Sequence, residues 1–199
     1  MPRKTAYHHG NLREALLDAA EALLRKRGPE ELTLREVARR AGVSHGAPYH
    51  HFDSRDALLA AVAERGFAGL AAAMRQVPPA GKREQLVGIC RAYVDFATHY
   101  PTRFRLMFGP LLARKAEFPA LKQQAESSFT MLLEAAKAVA PEHALPLALA
   151  GWSLAHGLSH LAINDVLAGL PAVGPLPPQD VLAEQLGGWL LGQVLPRGA

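Results

Sequence analysis

Seven residues, Ala38-Arg39-Arg40-Ala41-Gly42-Val43-Ser44, constrain this chain more than any other feature. Two helices joined by a tight turn can cross closely only with a small residue at the crossing, a place Ala38 can fill. The turn needs a residue that tolerates left-handed backbone, and Gly42 supplies it. Val43 can pin the turn to a core, and Ser44 can cap a second helix. The order is that of a helix-turn-helix.

The flanking sequence has a helical period throughout, with no alternating β-branched run that would suggest a sheet. Leu12, Leu16, Ala19, Ala20, Leu23 and Leu24 share one helix face. Asn11 with Glu14 gives that helix a capping-box start, and Gly28-Pro29 stops it. Thr33 with Glu36 opens a second helix, which buries Leu34, Val37, Ala38 and Ala41 and ends at Gly42. Ser44 is expected to cap a short third helix reaching about Phe52. Asp53 or Ser54 caps a long fourth helix through Leu58, Val62 and Leu70 to Val77. Pro78-Pro79-Ala80-Gly81 then breaks the chain. Further helices are expected at 82–100, 102–112, 117–139, 142–169 and 178–195, with a proline-rich loop from Pro171 to Pro178. The fold class is all-α. Residues 1–55 are expected to form an arm and the helix-turn-helix unit, and residues 56–199 a connecting helix and a second, C-terminal helical unit.

Charge supports a polyanion partner. The net charge is +4. Residues 1–55 hold ten Lys/Arg against seven Asp/Glu, and the remainder twelve against eleven. The excess therefore gathers in the head, where attraction for phosphates would be summed. In the first turn of the expected recognition helix, His45 is placed to read base edges, and Gly46 and Ala47 let the backbone approach a duplex. Tyr49 and His50 can donate to phosphate oxygens, and Arg55 is placed as a further phosphate clamp. Pro48, near the start of that helix, removes only its first internal hydrogen bond. His51 and Phe52 are expected to pack the head. Arg3 and Lys4 could form an arm along the backbone or minor groove.

Gly42-Val43-Ser44, Tyr49, His51-Phe52 and Arg55 with Leu58 resemble the TetR family of bacterial repressors over about residues 10–60. That resemblance implies an all-helical dimer with an N-terminal DNA-binding head, residues 1–55, and a C-terminal ligand-binding, dimerising body within residues 56–199. It also implies DNA contacts at Thr33, Ser44, His45, Gly46, Ala47, Tyr49, His50 and Arg55. Pro48 stands where a bulky aliphatic is more usual. Tyr93-Val94, Phe96-Ala97, His99-Tyr100-Pro101, Phe104 to Phe108 and Trp152 with His156-Gly157 are similar to the subgroup named for its Trp–His–Gly motif.

In the body, Phe96, Tyr100, Phe104, Met107, Phe108, Phe129, Met131 and Trp152 fall at helical spacing, which suits a core. Some of them can instead line a cavity with His156, His160 or Asn164, taking a small hydrophobic or amphipathic effector. His156 and His160, spaced i, i+4, could offer two nitrogens to a metal, as could Asp95 with His99. Without an acidic residue after the first histidine they read as structural, and neither a metal nor a cofactor is expected. Small residues at Ala148, Gly151, Ala155, Leu158 and Ala162, and at Gly187, Gly188, Leu191 and Gly192, suit either a four-helix interface between two copies or a tight core within one. The expected partners are an operator in double-stranded DNA, a small-molecule effector and a second copy of the chain. Alternatives are a body that binds a protein, and a helical metal enzyme. No secretory leader or uninterrupted membrane-length apolar run is read, and a cytoplasmic location follows. The single cysteine, Cys90, reads as a buried thiol.

Overall fold

A computed structural model describes residues 12–167 and 177–194, and it contains helices and no strand among them. The arm, Asn11 and most of the proline-rich loop lie outside the described residues. Nine α-helices follow in order among the described residues: α1 Leu12–Arg27, α2 Leu34–Ala41, α3 Arg55–Arg75, α4 Lys82–His99, α5 Pro101–Met107, α6 Pro110–Ala113, α7 Pro119–Val139, α8 Ala144–Ile163 and α9 Gln179–Val194. Single 3₁₀ turns at Ala47–His50, Lys115–Glu117 and Pro141–His143 join some of them.

The start and stop signals act as the residues dictate. Thr33 Oγ1 accepts from the Glu36 amide at 3.2 Å, and Ser54 Oγ accepts from the Ala57 amide at 3.0 Å. Each satisfies an amide that the first turn of a helix leaves orphaned. Gly28 and Gly42 end α1 and α2 at φ 77° and 71°, the left-handed region where a side chain is strained. Prolines begin helices here rather than merely stopping them: Pro101, Pro110 and Pro119 stand at the first position, where no internal amide bond is lost.

Two expectations are corrected by the same chemistry. The single helix expected over 102–112 is two, because Gly109 is extended and Pro110 cannot donate back across the break. The helix expected over 142–169 ends at Ile163, after which Asp165 takes a left-handed φ of 55°.

Helix α3 organises the molecule, packing against α1, α4, α5 and α7. Composition and length alone would let α3 cross a membrane, yet it is mostly buried inside the protein. Its first half closes the core of the head, with Leu58 and Val62 fully buried. Its second half carries Phe67, Leu70 and Met74 into the body. At Gly66 a Cβ would stand only 2.6 Å from Met107 Sδ, so α3 and α5 approach as they do because the side chain there is a hydrogen atom.

Helix α4 runs between α8 and α9. The small residues of α8 serve that packing: Ala148, Gly151, Ala155 and Leu158 are buried within the chain, and a Cβ on Gly151 would meet Cys90 Sγ at 3.4 Å. Gly187 likewise faces Val87 at 3.4 Å, and Leu191 is buried. For these residues the core reading holds rather than the interface one. Gly188 and Gly192 face open space. Outside this layer α8 exposes Leu145, Leu149 and Leu161, and α9 exposes Val181 and Trp189, the last 65% accessible.

Candidate nucleic-acid interface and the cavity of the body

The turn after α2 is built as its residues require. The Val43 amide donates to Ala38 O at 3.0 Å, closing the end of α2, and Val43 is half-buried. The segment after it departs from expectation. Instead of an α-helix capped by Ser44, a 3₁₀ turn spans Ala47–His50, with Gly46 before it and no side-chain cap. The cause is Pro48. It has no amide to reach Ser44 O four residues back, so the Ala47 amide takes that carbonyl at 3.0 Å and winds the segment tighter. Pro48 is itself fully buried, filling the place of a larger aliphatic.

The tight turn pushes its polar residues outward. Ser44, His45, Gly46, Tyr49 and His50 are exposed, and Ala47 is half-buried. Tyr49 is 53% accessible, a large exposure for an aromatic ring on a well-packed head. Phe52 packs beneath, under the Arg13 guanidinium at 5.7 Å, while His51 stays exposed, contrary to expectation. Thr33 is exposed but engaged, accepting from the Glu36 amide and donating to Glu36 Oε2 at 3.2 Å.

Arg55, expected as a phosphate clamp, is half-exposed and also bonded within the head. Its Nε donates to Leu32 O at 2.9 Å and its Nη2 donates to Pro29 O, so the guanidinium ties the α1–α2 loop to α3. Free basic groups occur instead on α2. Arg35, Arg39 and Arg40 are exposed and have no ion-pair partner among the described residues. Sequence reasoning missed them because α2 was read for its apolar face. The signal was the run Arg39-Arg40 one turn before Gly42.

In the body, a cavity of about 440 Å³ lies between α3, α7 and α8. Of the residues proposed to line a pocket, Phe108, Phe129 and Trp152 do so. Phe96, Phe104 and Met107 are core, with Phe104 and Met107 fully buried. Tyr100 is half-exposed near α1, with the Arg103 guanidinium 4.8 Å from its ring centre. His156 and His160 stand outside the cavity wall. Sequence reasoning missed Phe67, Leu70 and Met74, whose i, i+3, i+7 spacing gives a face of α3 but not the void beside it.

A polar chain runs from the wall to His156 behind it. Trp152 Nε1 donates to Tyr93 Oη at 3.3 Å, and Tyr93 Oη is hydrogen-bonded to His156 Nδ1 at 2.8 Å. The rings of His156 and His160 lie 4.6 Å apart. Burial, and secondarily the His160 charge, push the His156 pKa below its ordinary value. Folding then favours the neutral ring, so the contribution of His156 is complete above the unfolded histidine range and is lost as pH falls through it. The melting temperature is expected to fall between pH 7.5 and pH 5.5, and to fall less in His156→Gln. An equal fall in both, measured by circular dichroism, would refute the assignment. No group of three metal-ligating side chains occurs among the described residues, so the pair Asp95 and His99 does not join His156 and His160. Burial alone pushes the Cys90 thiol up to about 12, leaving it protonated and inert.

An exposed reading turn on a helix-turn-helix, joined by one long helix to a bundle with an apolar cavity, is the architecture of a DNA-binding regulator. Residues 16–62 match the bacterial regulatory proteins of the tetR family, and residues 86–186 match the tetracyclin repressor-like C-terminal domain. A relative from Mycobacterium bovis, the HTH-type transcriptional regulator Mb3439c, is 31% identical over 145 residues, covering 70% of this chain and 71% of its own. Another, the HTH-type transcriptional repressor Rv1474c of Mycobacterium tuberculosis, is 32% identical over 91 residues, 46% of this chain and 45% of that protein. The chain thus spans less than half the length of some curated relatives it matches. A solved structure from Rhodococcus sp. RHA1, described as a protein with unknown function, superimposes with a TM-score of 0.79 at 30% identity, covering 96% of this chain and 98% of that one. The chain belongs to the tetR family of bacterial regulatory proteins.

Proposed function

We propose that the chain is a cytoplasmic, homodimeric repressor, released from a palindromic operator by a small hydrophobic or amphipathic effector. The observation that carries the DNA-binding face is the outward turn of His45, Tyr49 and His50 beside the unpaired Arg39 and Arg40. On this reading His45 reads base edges, while Thr33, Ser44, Tyr49, His50 and the amides around Gly46 and Ala47 hold the backbone. Leu161 of α8 with Val181 and Trp189 of α9, exposed apolar side chains outside the cavity lining, meet their copies across a two-fold axis.

The effector occupies the cavity between α3 and α7. It acts by preferring a state in which α3, shared between cavity and head, is displaced. Turning a population from almost wholly DNA-competent to almost wholly released needs about 5.5 kcal/mol of differential affinity.

Selection of random duplexes by the purified protein at two salt concentrations tests the reading. One enriched palindrome, bound more weakly at higher salt, supports it; no enrichment at either concentration sinks it. With that duplex in hand, the double variant Arg39→Ala, Arg40→Ala should flatten the slope of log affinity against log salt by about two, with base preference kept. An unchanged slope removes these arginines from the interface.

A further inference from the structure

The wall of the body cavity has its own donors already committed. Trp152 donates to Tyr93 Oη, and that oxygen is also hydrogen-bonded to His156 Nδ1. The Ser128 hydroxyl donates to Gln124 O at 3.0 Å, with Phe67 O at 3.3 Å, and the Thr130 hydroxyl to Glu126 O at 2.9 Å. The remaining lining is mainly Phe, Leu and Met. A charged or strongly accepting group pushed into the interior would therefore lose its water and gain no donor.

Two charges border the cavity, Lys115 and Glu126, and neither side chain has an ion-pair partner among the described residues. Their surroundings differ. Glu126 is exposed and keeps its water, whereas Lys115 is half-buried beside Leu112. Lys115 is thus the charge set closer to the apolar lining, and an ammonium there takes an anion as its partner. The volume of about 440 Å³ has room for about fifteen groups of water size.

We propose that this cavity binds an amphiphile with an apolar body in the interior and a single anionic head group, carboxylate or phosphate, paired with Lys115 at the mouth. This rests on the reading of the cavity as the effector site. Lys115 opens the 3₁₀ turn that follows Arg114, and Arg114 donates to Asp56 in the first turn of α3 at 2.8 Å and to Glu117 at 2.7 Å. An anion on Lys115 thus acts on the segment that holds the start of α3.

The test is calorimetric titration of the full chain with octanoate, octyl phosphate, 1-octanol and octyltrimethylammonium, each below its aggregation limit. One or both anions should bind about ten-fold more tightly than the ammonium. Lys115→Met should remove that advantage while leaving octanol affinity and melting temperature unchanged. The stronger of the two anions identifies the head group. Tighter binding of the ammonium, equal binding of all four, or an undiminished anion preference in Lys115→Met would overturn the proposal. Octanol binding without an anion advantage defeats this inference alone, whereas failure of octanol and both anions to bind defeats the effector reading of the cavity as well.

Discussion

Replacing Phe104 with alanine is expected to remove about 3–5 kcal/mol of folding stability. Phe104 is fully buried on α5. Its ring centre lies 4.9 Å from that of Phe108, 5.6 Å from Tyr93, 5.4 Å from His156 and 5.6 Å from His160. These partners come from α4, α8 and the end of α5, so no single side chain can swing in to fill the space. A domain of this kind is stable by about 5–15 kcal/mol in total, which makes the loss a large fraction of the whole. Urea unfolding with an unchanged m-value would measure it. A loss below about 1 kcal/mol would mean that the cluster collapses freely, and the packing account would be wrong.

The second large effect concerns how the body holds the head. Arg103 of α5 donates to Glu21 of α1 at 2.5 Å, and the Glu21 side chain is only 11% accessible. The other carboxylate oxygen, Oε1, is buried with no hydrogen-bond partner and lies 3.7 Å from Arg65. Arg103→Met should therefore cost about 2–3 kcal/mol, less than a fully buried pair, because it strands a carboxylate cut off from water. Adding Glu21→Gln should recover most of that loss. A double-mutant cycle reads the coupling directly. Strictly additive costs would show that the two side chains do not act as a pair.

The sequence made the boundaries of α2 and α3 legible because the signals are local: a hydroxyl three residues from an amide, or a glycine at a left-handed turn. The turn at Gly42 and Val43 was legible for the same reason. Other features depended on partners that local pattern does not name. Arg55 reaches two backbone carbonyls, at Pro29 and Leu32, which carry no residue identity to be read. The alanines and glycine of α8 announced a close approach, but not whether the approaching helix was α4 or another copy. Aromatic residues at helical spacing mark a buried face, whereas a cavity is the space left where facing side chains fail to meet. Pro48 has a larger effect than the loss of one hydrogen bond suggests. One missing amide, combined with a competing amide one residue earlier, changes the winding of the whole segment.

Helix α3 has a hand-over point. At Glu64 and Arg65 its charged side chains pair with α1, Arg65 with Asp18 at 2.6 Å and Glu64 with Arg13 at 3.9 Å. From Phe67 onward its apolar side chains face the body, and Gly66, pressed by Met107, lies between. The natural seam for recombination therefore falls near Gly66 rather than at residue 55. A reading head transplanted onto a new body would have to bring its half of α3 with it, together with a glycine where the two halves meet. Grafts cut at the turn before α3 would separate the head from the helix that closes its core.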